Sequence, residues 1–429
     1  MKHISKLFAL LLALAMIVST FSISFAIKPN VYQAKDTEAF LMAAQKMVRE
    51  SNMFQLLDED SGEDVDLTDR YQTGRIMVCP DKDLSRGFLK DTDDAIFYNG
   101  WYFLQYDSEK ATKAAYKALK EAYGADRVIL DTVFQVPLSK TVEAKKLVQK
   151  DDYMSWGIRN MGLDKVEEKL ELLPNKQQVT VAVLDSGVNL IESAFAQRIV
   201  NPIDLVVFNP FPYDFNGHGT HCVSTIIDAT PSNVKIMPIK TITGLGFGTI
   251  FHTLYGLLYA DFIGADIINM SLAAQDEFEI RPYDSLLRMM VEQGKTIVVA
   301  AGNEAQDVMK SYPSSSEYVI TVGSLNKKNR VDKDYSNYGP AVDFVAPGAK
   351  ILGYATDYGI PAKAYMTGTS MATPHVTAAC ALIKTAHPEY NQKQIYKVLK
   401  SHAIDIEAKG KDKYAGWGRI DLSSYARNF

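Results

Sequence analysis

Three polar residues in this sequence have the side chains that nucleophilic catalysis needs, and each borders an apolar stretch. Ser370 precedes a run, residues 371–383, that is apolar on nearly every side; Asp185 ends another, and His218 lies between two glycines. A serine hydroxyl becomes a strong nucleophile when a histidine takes its proton and a carboxylate orients that histidine. These three residues could therefore form a site that cleaves an acyl bond.

The run after Ser370 predicts a buried helix, because no face of it is consistently polar. Pro374 fits such a helix if it lies in the first turn, where its missing N–H has no intrahelical partner. Ser370 would then stand at the positive end of the helix dipole, where backbone N–H groups can stabilise an oxyanion. On this stretch alone, Ser370 could equally be an N-cap residue of a core helix.

Two further stretches favour chemistry at these residues. Val179 to Leu184 predict a buried parallel strand, so Asp185 falls at the carboxyl end of a strand, where sites form in open α/β sheets. His218 opens a second region that continues into the apolar stretch Cys222 to Ile227. The chain order Asp185, His218, Ser370 differs from the Ser, Asp, His order of α/β-hydrolases.

The segments around these three residues resemble the signature segments of the subtilisin-like serine proteases, the subtilase family, of the secreted bacterial type. They read VTVAVLDSG (179–187), NGHGTH (216–221) and TGTSMATPH (367–375). The resemblance implies that Ser370 attacks, that His218 takes and returns the proton, and that Asp185 holds the imidazole. It also implies that Asn303, which follows the predicted strand Thr296 to Ala300, donates to the oxyanion together with the Ser370 backbone N–H.

The resemblance further implies two extended segments that pair with the substrate backbone as added strands. The substrate-binding residues would be Gly246, Phe247 and Gly248 in the first segment, and Ser271, Leu272 and Ala273 in the second. The family usually has Gly-Gly where Ala273-Ala274 stand, so we expect the two extra methyl groups to narrow the first substrate pocket.

The sequence predicts no metal site and no cofactor. Its three cysteines are too few and too scattered for a disulfide framework or a metal cluster. His221 lies three residues after His218, but no glutamate completes a zinc-protease H-E-x-x-H pattern, so we expect a packed core histidine. The Asn-rich calcium loop of many secreted subtilases is missing after residue 228, and Glu192 to Phe195 replace the family's usual His-Pro-Asp-Leu. Calcium at another position stays open.

Composition and the N-terminus point to export. A hydrophobic content of 47% allows an ample core, and a net charge of -5 gives no indication of nucleic acid or an anionic membrane as partner. Two lysines, the apolar stretch Leu7 to Val18 and the small-x-small Ser24 to Ala26 predict a signal peptide over residues 1–26. We expect a secreted, extracellular protein without membrane attachment after signal cleavage; a retained N-terminal anchor is the alternative.

A small α+β domain is predicted between the signal peptide and the main domain. Residues 27–73 form an N-terminal extension with an acidic linker, and residues 74–140 then alternate strand and helix patterns. Ser108 can cap a helix over Glu109 to Tyr123, and Arg127 to Val136 predict a last strand. By its position this domain resembles the family's inhibitory propeptide, with residues 141–152 as the processing linker. The alternative is a domain that stays attached for another purpose.

Residues 153–429 predict the catalytic domain. Buried strand patterns alternate with helical ones there, which indicates an α/β fold with a doubly wound parallel sheet. The predicted strands are Val179 to Leu184, Val234 to Ile239, Ile267 to Met270, Thr296 to Ala300 and Val319 to Val322, with helices over Ile250 to Phe262 and Pro282 to Gln293.

Together these patterns predict a serine endopeptidase that cleaves proteins or peptides through an acyl-enzyme and is matured by loss of its own propeptide. We expect a monomer whose partners are that propeptide and its substrates. A catalytically silent peptide-binding protein with the same fold is the main alternative. An esterase or lipase is disfavoured, because Gly368 to Ala372 does not read G-x-S-x-G and the chain order differs.

Overall fold

The structure is a computed structural model in which a large domain carries a smaller N-terminal one. The residues it describes are 71–135, 155–275, 283–357 and 360–429, apart from 72, 91, 99 and 193, together with short pieces between 32 and 47 and Val142–Glu143. The predicted signal peptide, most of the N-terminal extension and most of the linker of residues 141–152 lie outside the described residues.

A nine-stranded sheet, the central sheet, forms the middle of the large domain. All neighbouring strands in it run parallel except the pair at one edge, Ala403–Ile404 with Arg419–Ile420, which is antiparallel. In spatial order the strands are Ala403–Ile404, Arg419–Ile420, Phe344–Pro347, Ile320–Leu325, Thr296–Ala300, Ile267–Met270, Val179–Asp185, Val234–Lys240 and Ile203–Asp204. The predicted α/β fold with a large parallel sheet is confirmed.

The central sheet is covered on both faces because its strands are apolar on both. In the strand Val179–Asp185, Val181 and Val183 belong to one hydrophobic core, whereas Ala182 and Leu184 belong to another. Side chains alternate across a strand, so the two cores lie on opposite faces.

Helices supply the other half of each core. The helices of the large domain are Trp156–Asn160, Leu163–Glu171, His218–Asp228, Ile250–Ile263, Tyr283–Glu292, Thr369–Ala386 and Gln392–Ser401. We call His218–Asp228 the histidine helix and Thr369–Ala386 the serine helix; both pack in the core that contains Val181. Among the described residues, no helix combines the length and apolarity that a bilayer span requires.

The serine helix begins earlier than its sequence pattern indicated. Gly368 precedes it and Ser370 is its second residue, so Ser370 is not the N-cap. The helix is buried along nearly its whole length, as its uniformly apolar sequence predicted. It therefore holds Ser370 on a rigid central element.

The N-terminal domain contains a five-stranded sheet, the N-terminal sheet, and one long helix. Its strands, in spatial order, are Tyr32–Gln33, Asp94–Tyr98, Trp101–Gln105, Arg75–Val78 and Val128–Leu130. The long helix Glu109–Tyr123 is capped by Ser108, which accepts from the Ala111 N–H, and it ends at Gly124, as predicted. A short helix, Arg86–Lys90, precedes the strand Asp94–Tyr98.

The two faces of the N-terminal sheet pack against different partners. Ile76 and Leu104 share a core with residues of the helix Glu109–Tyr123. Met77 and Phe103, on the opposite face, share a core with the helix Ile250–Ile263 of the large domain. The alternation along each strand thus attaches the N-terminal domain to the large domain through an apolar face.

The prediction of one last strand over Arg127 to Val136 was wrong. The chain forms Val128–Leu130, leaves strand geometry at Asp131 and Thr132, and resumes as Val133–Gln135. The break occurs because the Asp131 carboxylate turns to accept the Phe251 N–H of the large domain at 2.8 Å. The second piece then leaves the N-terminal sheet and pairs antiparallel with Phe247–Thr249.

Short antiparallel pairs complete the described structure. A hairpin of Ile351–Asp357 and Ile360–Met366 leads into the serine helix, and its second strand also pairs with Val142–Glu143. Ala274–Gln275 pairs with Ser311–Tyr312. These pairs lie at the edges of the site described next.

Candidate active site

Asp185 and His218 are joined by a short hydrogen bond. Asp185 is the last residue of its strand and His218 the first of the histidine helix. His218 Nδ1 lies 2.7 Å from Asp185 Oδ1, and both side chains are almost fully buried. The Ser186 backbone N–H also donates to Asp185 Oδ1, at 2.7 Å. The carboxylate therefore holds the imidazole with Nδ1 protonated and Nε2 on the far side.

The surroundings of His218 favour its charged form. Burial alone would lower the pKa of His218, but the charge of Asp185, its hydrogen bond and the nearby Asp214 leave that pKa above the ordinary value. His218 Nε2 has no hydrogen-bond partner among the described residues. The imidazole thus combines raised basicity with a nitrogen that is available to accept a proton.

Ser370 is hydrogen-bonded to Ser271, the residue that follows the strand Ile267–Met270. Its Oγ donates to the Ser271 carbonyl at 3.0 Å, and Ser271 Oγ donates to the Ser370 carbonyl at 2.9 Å. The Cys222 thiol, one turn after His218 in the histidine helix, lies 3.6 Å from the same Ser370 carbonyl. Its sulfur is within 4.8 Å of the nearest ligand atoms of Asp185 and His218. The Ser370 carbonyl and the Asp185–His218 pair therefore share the Cys222 thiol as a neighbour.

The expectation for Pro374 was wrong. Pro374 is the sixth residue of the serine helix, beyond its first turn. Its missing N–H would have bonded the carbonyl four residues earlier, which is that of Ser370. The hydroxyl of Ser271 takes that place. The proline is tolerated because a side chain from outside the helix satisfies the carbonyl that it leaves without an intrahelical partner.

Asn303 lies opposite the start of the serine helix, just after the strand Thr296–Ala300. Its Oδ1 accepts from the Thr369 N–H at 2.8 Å and from Thr369 Oγ1 at 3.0 Å. Its backbone N–H donates to Glu304 Oε2 at 2.9 Å. Because the amide oxygen is held by Thr369, the amide NH₂ is the end that remains to donate to an oxyanion beside Ser370.

The three buried groups Asp185, His218 and Cys222 could in principle hold a metal ion, since their ligand atoms converge. Burial, followed by the charge of Asp185, raises the pKa of the Cys222 thiol well above its ordinary value. A protonated thiol is a poor ligand, because metals bind the thiolate. The donor set therefore does not favour a resident metal; the expectation that the protein needs no cofactor stays a prediction.

Two further histidines near the site are packed core residues. His221 donates from Nε2 to the Ile351 carbonyl at 3.0 Å, and burial lowers its pKa to about 4. His375 bonds the Met371 carbonyl through Nδ1, and burial also lowers its pKa to about 4. Both imidazoles are neutral at physiological pH, which leaves His218 as the basic imidazole of this cluster.

The first predicted substrate segment is paired with the chain itself. Phe247 and Gly248 lie opposite Gln135 and Phe134, and a Cβ at Gly248 would meet the Phe134 ring at 2.9 Å. Gly246 has a left-handed φ of 88°, in the turn that leads into this segment. The N-terminal domain thus covers the edge where substrate backbone was expected.

The second predicted segment turns its side chains inward. Ser271 and Leu272 are buried, with Leu272 in a hydrophobic core, and Ala273 is half-buried. Only the backbone of Ser271 and Leu272 is therefore left to meet a substrate. The next residue, Ala274, pairs with Tyr312.

Sequence reasoning missed three residues that organise this site: Asp214, Thr220 and Thr369. Asp214 is fully buried and accepts hydrogen bonds on both sides of His218. Its one sequence signal is an acidic residue four positions before a glycine-flanked histidine, which by itself is common. Thr369 was visible only as a small residue before Ser370, and its contact with Asn303 spans 66 positions.

The large domain is similar to known proteases in sequence. A minor extracellular protease of Bacillus subtilis (strain 168) is 27% identical over 64% of this chain and 42% of the relative. A thermophilic serine proteinase of Bacillus sp. (strain AK1) is 31% identical over 56% of this chain and 60% of the relative. The chain thus spans less than two thirds of the length of these relatives.

The fold has solved counterparts as well. A cold adapted subtilisin-like serine proteinase superposes with a TM-score of 0.53 at 27% identity, covering 63% of this chain and 98% of that one. The model of the subtilase family matches residues 176–418, which is more than half of the sequence and includes Asp185, His218, Asn303 and Ser370. The chain therefore belongs to the subtilase family.

Proposed function

We propose that this protein is a serine endopeptidase that hydrolyses peptide bonds through Asp185, His218 and Ser370. The observation that carries the proposal is the buried Asp185–His218 hydrogen bond of 2.7 Å, with Nε2, which has no partner in the described part of the chain, on the side away from the carboxylate. This arrangement suits a general base that later returns the proton to the leaving amine. Ser370, the second residue of the serine helix, is the proposed nucleophile.

The reaction requires the Ser370 hydroxyl to exchange partners. In the structure it donates to the Ser271 carbonyl, so it must turn to His218 Nε2 before attack. As Ser370 Oγ adds to the substrate carbonyl, His218 takes the hydroxyl proton and Asp185 stabilises the imidazolium. His218 then protonates the leaving amine, and an acyl-enzyme forms that water hydrolyses by the same route.

Asn303 is the proposed oxyanion donor. Thr369 fixes its amide oxygen through two hydrogen bonds, so the orientation of the NH₂ group is set before substrate arrives. The backbone N–H of Ser370, among the first four of its helix, is the second donor. Such preorganised donors stabilise the negative charge of the tetrahedral intermediate more than they stabilise the substrate.

The N-terminal domain is proposed to be an inhibitory propeptide. Two contacts support this: Val133–Gln135 pairs with Phe247–Thr249, and Val142–Glu143 pairs with the hairpin strand Ile360–Met366 that leads to Ser370. Peptides often bind by adding a strand in this way. Val133–Gln135 would therefore occupy the predicted substrate edge at Phe247–Thr249 until the chain is cut after it.

Export is the last element of the proposal. The N-terminal sequence has the pattern of a signal peptide, and one relative is named as an extracellular protease. Protein or peptide substrates outside the cell, and a monomeric enzyme, complete the proposed function.

Intact mass of the secreted protein tests activity and maturation together, with wild type measured beside Ser370→Ala. We expect wild type alone to lose everything before a bond between Gln135 and Ser155, the interval that contains the predicted processing linker of residues 141–152. A fluorophosphonate probe should label the mature wild type and not the variant. If both proteins stay full length and neither is labelled, a silent peptide-binding protein becomes the better explanation.

A further inference from the structure

We propose that Asp214 is a positioning residue that fixes His218 relative to Asp185, an inference that rests on the proposed protease function. Asp214 lies four residues before His218 and is fully buried. It contacts neither the imidazole nor Ser370 through a hydrogen bond; it acts on the backbone that carries the imidazole.

The Asp214 carboxylate accepts five hydrogen bonds from the residues that the structure describes. Oδ1 accepts from Ser186 Oγ at 2.9 Å, from the Asn216 N–H at 3.0 Å and from the Gly217 N–H at 2.8 Å. Oδ2 accepts from the N–H of Thr220 at 2.9 Å and from its hydroxyl at 2.6 Å. Apart from Ser186, the donors lie immediately before His218 and two residues after it, so the carboxylate holds together the turn that presents the imidazole.

The start of the histidine helix explains why a separate carboxylate is needed. Gly217 stands at the N-cap position with a φ of 90° and has no side chain to accept from the first N–H groups. A Cβ at Gly217 would lie 2.5 Å from the Thr356 carbonyl oxygen, so a capping side chain has no room there. Asp214 provides the missing acceptor and also places a negative charge at the positive helix end.

Asp214 also connects this turn to Asp185. Ser186, which donates its hydroxyl to Asp214, accepts the Gly219 N–H at 3.0 Å on the same oxygen. The backbone N–H of Ser186 donates to Asp185 Oδ1. Ser186 thus joins three groups: its hydroxyl bonds Asp214 and the residue after His218, and its backbone N–H bonds the carboxylate that holds the imidazole.

Two consequences follow for the reaction. Misplacing a catalytic group by about 1 Å costs roughly 10²-fold in rate, so loss of the Asp214 hydrogen bonds to this turn and to Ser186 should lower kcat more than it raises KM. In addition, Asp214 contributes to the raised pKa of His218. Removing its charge while keeping its shape should therefore shift the acid limb of the pH–rate profile to lower pH.

The test compares Asp214→Ala, Asp214→Asn and Asp204→Asn in the full chain, with secreted wild type as reference. Asp204 is a matched control, because it is a buried aspartate that accepts the N–H groups of its own turn, Val206 and Val207, and is not among the groups that raise the pKa of His218. We expect Asp214→Ala to lower kcat on a peptide substrate by about 10²-fold with little change in KM. Asp214→Asn should recover part of that loss, since its amide oxygen can still accept from Gly217 and Ser186.

The pH–rate profile separates positioning from simple stability. Asp214→Asn should move the acid limb to lower pH, whereas Asp204→Asn should leave it in place. If Asp214→Ala does not fold, the Asn variant decides. If wild type is active but Asp214→Asn has the same kcat and the same pH–rate profile as wild type, this inference alone is overturned. If wild type has neither activity nor fluorophosphonate labelling, the proposed function is overturned with it.

Discussion

Ser370 and Ser271 exchange hydrogen bonds. Ser370 Oγ donates to the Ser271 carbonyl at 3.0 Å, and Ser271 Oγ donates to the Ser370 carbonyl at 2.9 Å. The second bond satisfies the carbonyl that Pro374 leaves without its usual helical partner. Ser271 thus compensates for the hydrogen bond that Pro374 cannot make, and the serine helix stays regular around the proposed nucleophile.

The first prediction concerns this carbonyl. Ser271→Ala, made in the Ser370→Ala chain to prevent self-cleavage, should lower the free energy of unfolding by about 1–3 kcal/mol, the cost of leaving a buried acceptor poorly satisfied. Ser401→Ala is the control, because Ser401 Oγ bonds the Val398 carbonyl at an exposed position. Urea unfolding measures both; equal effects of the two substitutions would show that the Ser370 carbonyl finds another donor.

Much of the large domain could be predicted from the sequence because its strands are locally distinct. Ile267–Met270 and Thr296–Ala300 have the predicted bounds, and the strand before Asp185 differs only by including it. Runs of β-branched residues bounded by polar turns need no distant contact to be recognised. The same holds for the helix that Ser108 caps and Gly124 ends.

What could not be predicted depends on contacts between distant parts of the chain. Asp131 breaks a strand because the Phe251 N–H, 120 positions away, is within reach. Pro374 is tolerated in a second turn because the Ser271 hydroxyl donates to the Ser370 carbonyl. Ser271 lies 99 positions before Ser370 in the sequence. Asp214 has one of its five donors in Ser186, 28 positions before it. No local pattern reports such partners.

The second prediction is the pH dependence of the proposed base. Since Asp185 holds the pKa of His218 above 6.5 despite burial, kcat/KM should fall as the pH drops through that raised pKa, because imidazolium cannot accept the Ser370 proton. The free energy of unfolding depends on pH in the opposite direction to kcat/KM. The stabilisation from the Asp185–imidazolium pair is fully present below pH 6.5 and is lost as the pH rises through the pKa of His218 in the folded state.

Asp185→Asn should therefore lower kcat by about 10⁴-fold, as in other triad enzymes, and move the acid limb to lower pH. Asp266→Asn is the control, since Asp266 accepts the Thr180 N–H at the opposite end of the same strand. Kinetics of peptide hydrolysis across the pH range measure both variants. A parallel loss in the Asp266 variant would indicate that the strand, not the base, had been damaged.

The third prediction concerns the oxyanion donor. Asn303→Ala should lower kcat by about 10²–10³-fold with little change in KM, which is the known effect of removing such a donor from subtilisin, a protease of the same family. Asn303→Asp keeps the side-chain shape but replaces the donor with an acceptor, so it should be at least as slow. A variant that raises KM while preserving kcat would place Asn303 in ground-state binding instead.

The fourth prediction concerns the attachment of the N-terminal domain. Arg75 and Asp131 form an ion pair at 2.9 Å, with both side chains almost fully buried. The Arg75 guanidinium also lies 4.6 Å from the Phe251 ring centroid, and Asp131 Oδ1 accepts the Phe251 N–H. Both members of the pair therefore hold the N-terminal sheet against the helix Ile250–Ile263.

Removing one partner leaves the other charge buried, so Arg75→Met or Asp131→Leu in the Ser370→Ala chain should destabilise the N-terminal domain by about 3–5 kcal/mol. The double variant should recover most of that loss, because an apolar pair of similar volume needs no desolvation of charge. Lys333→Ala, which breaks an exposed pair with Glu407, should change the stability of the N-terminal domain little.

Hydrogen exchange of the backbone N–H groups in Arg75–Val78 and Trp101–Gln105 measures the stability of the N-terminal domain directly. If the loss of stability in the double variant equals the sum of the losses in the two single variants, the two charges act independently. The attachment would then depend on the apolar face of Met77 and Phe103 alone.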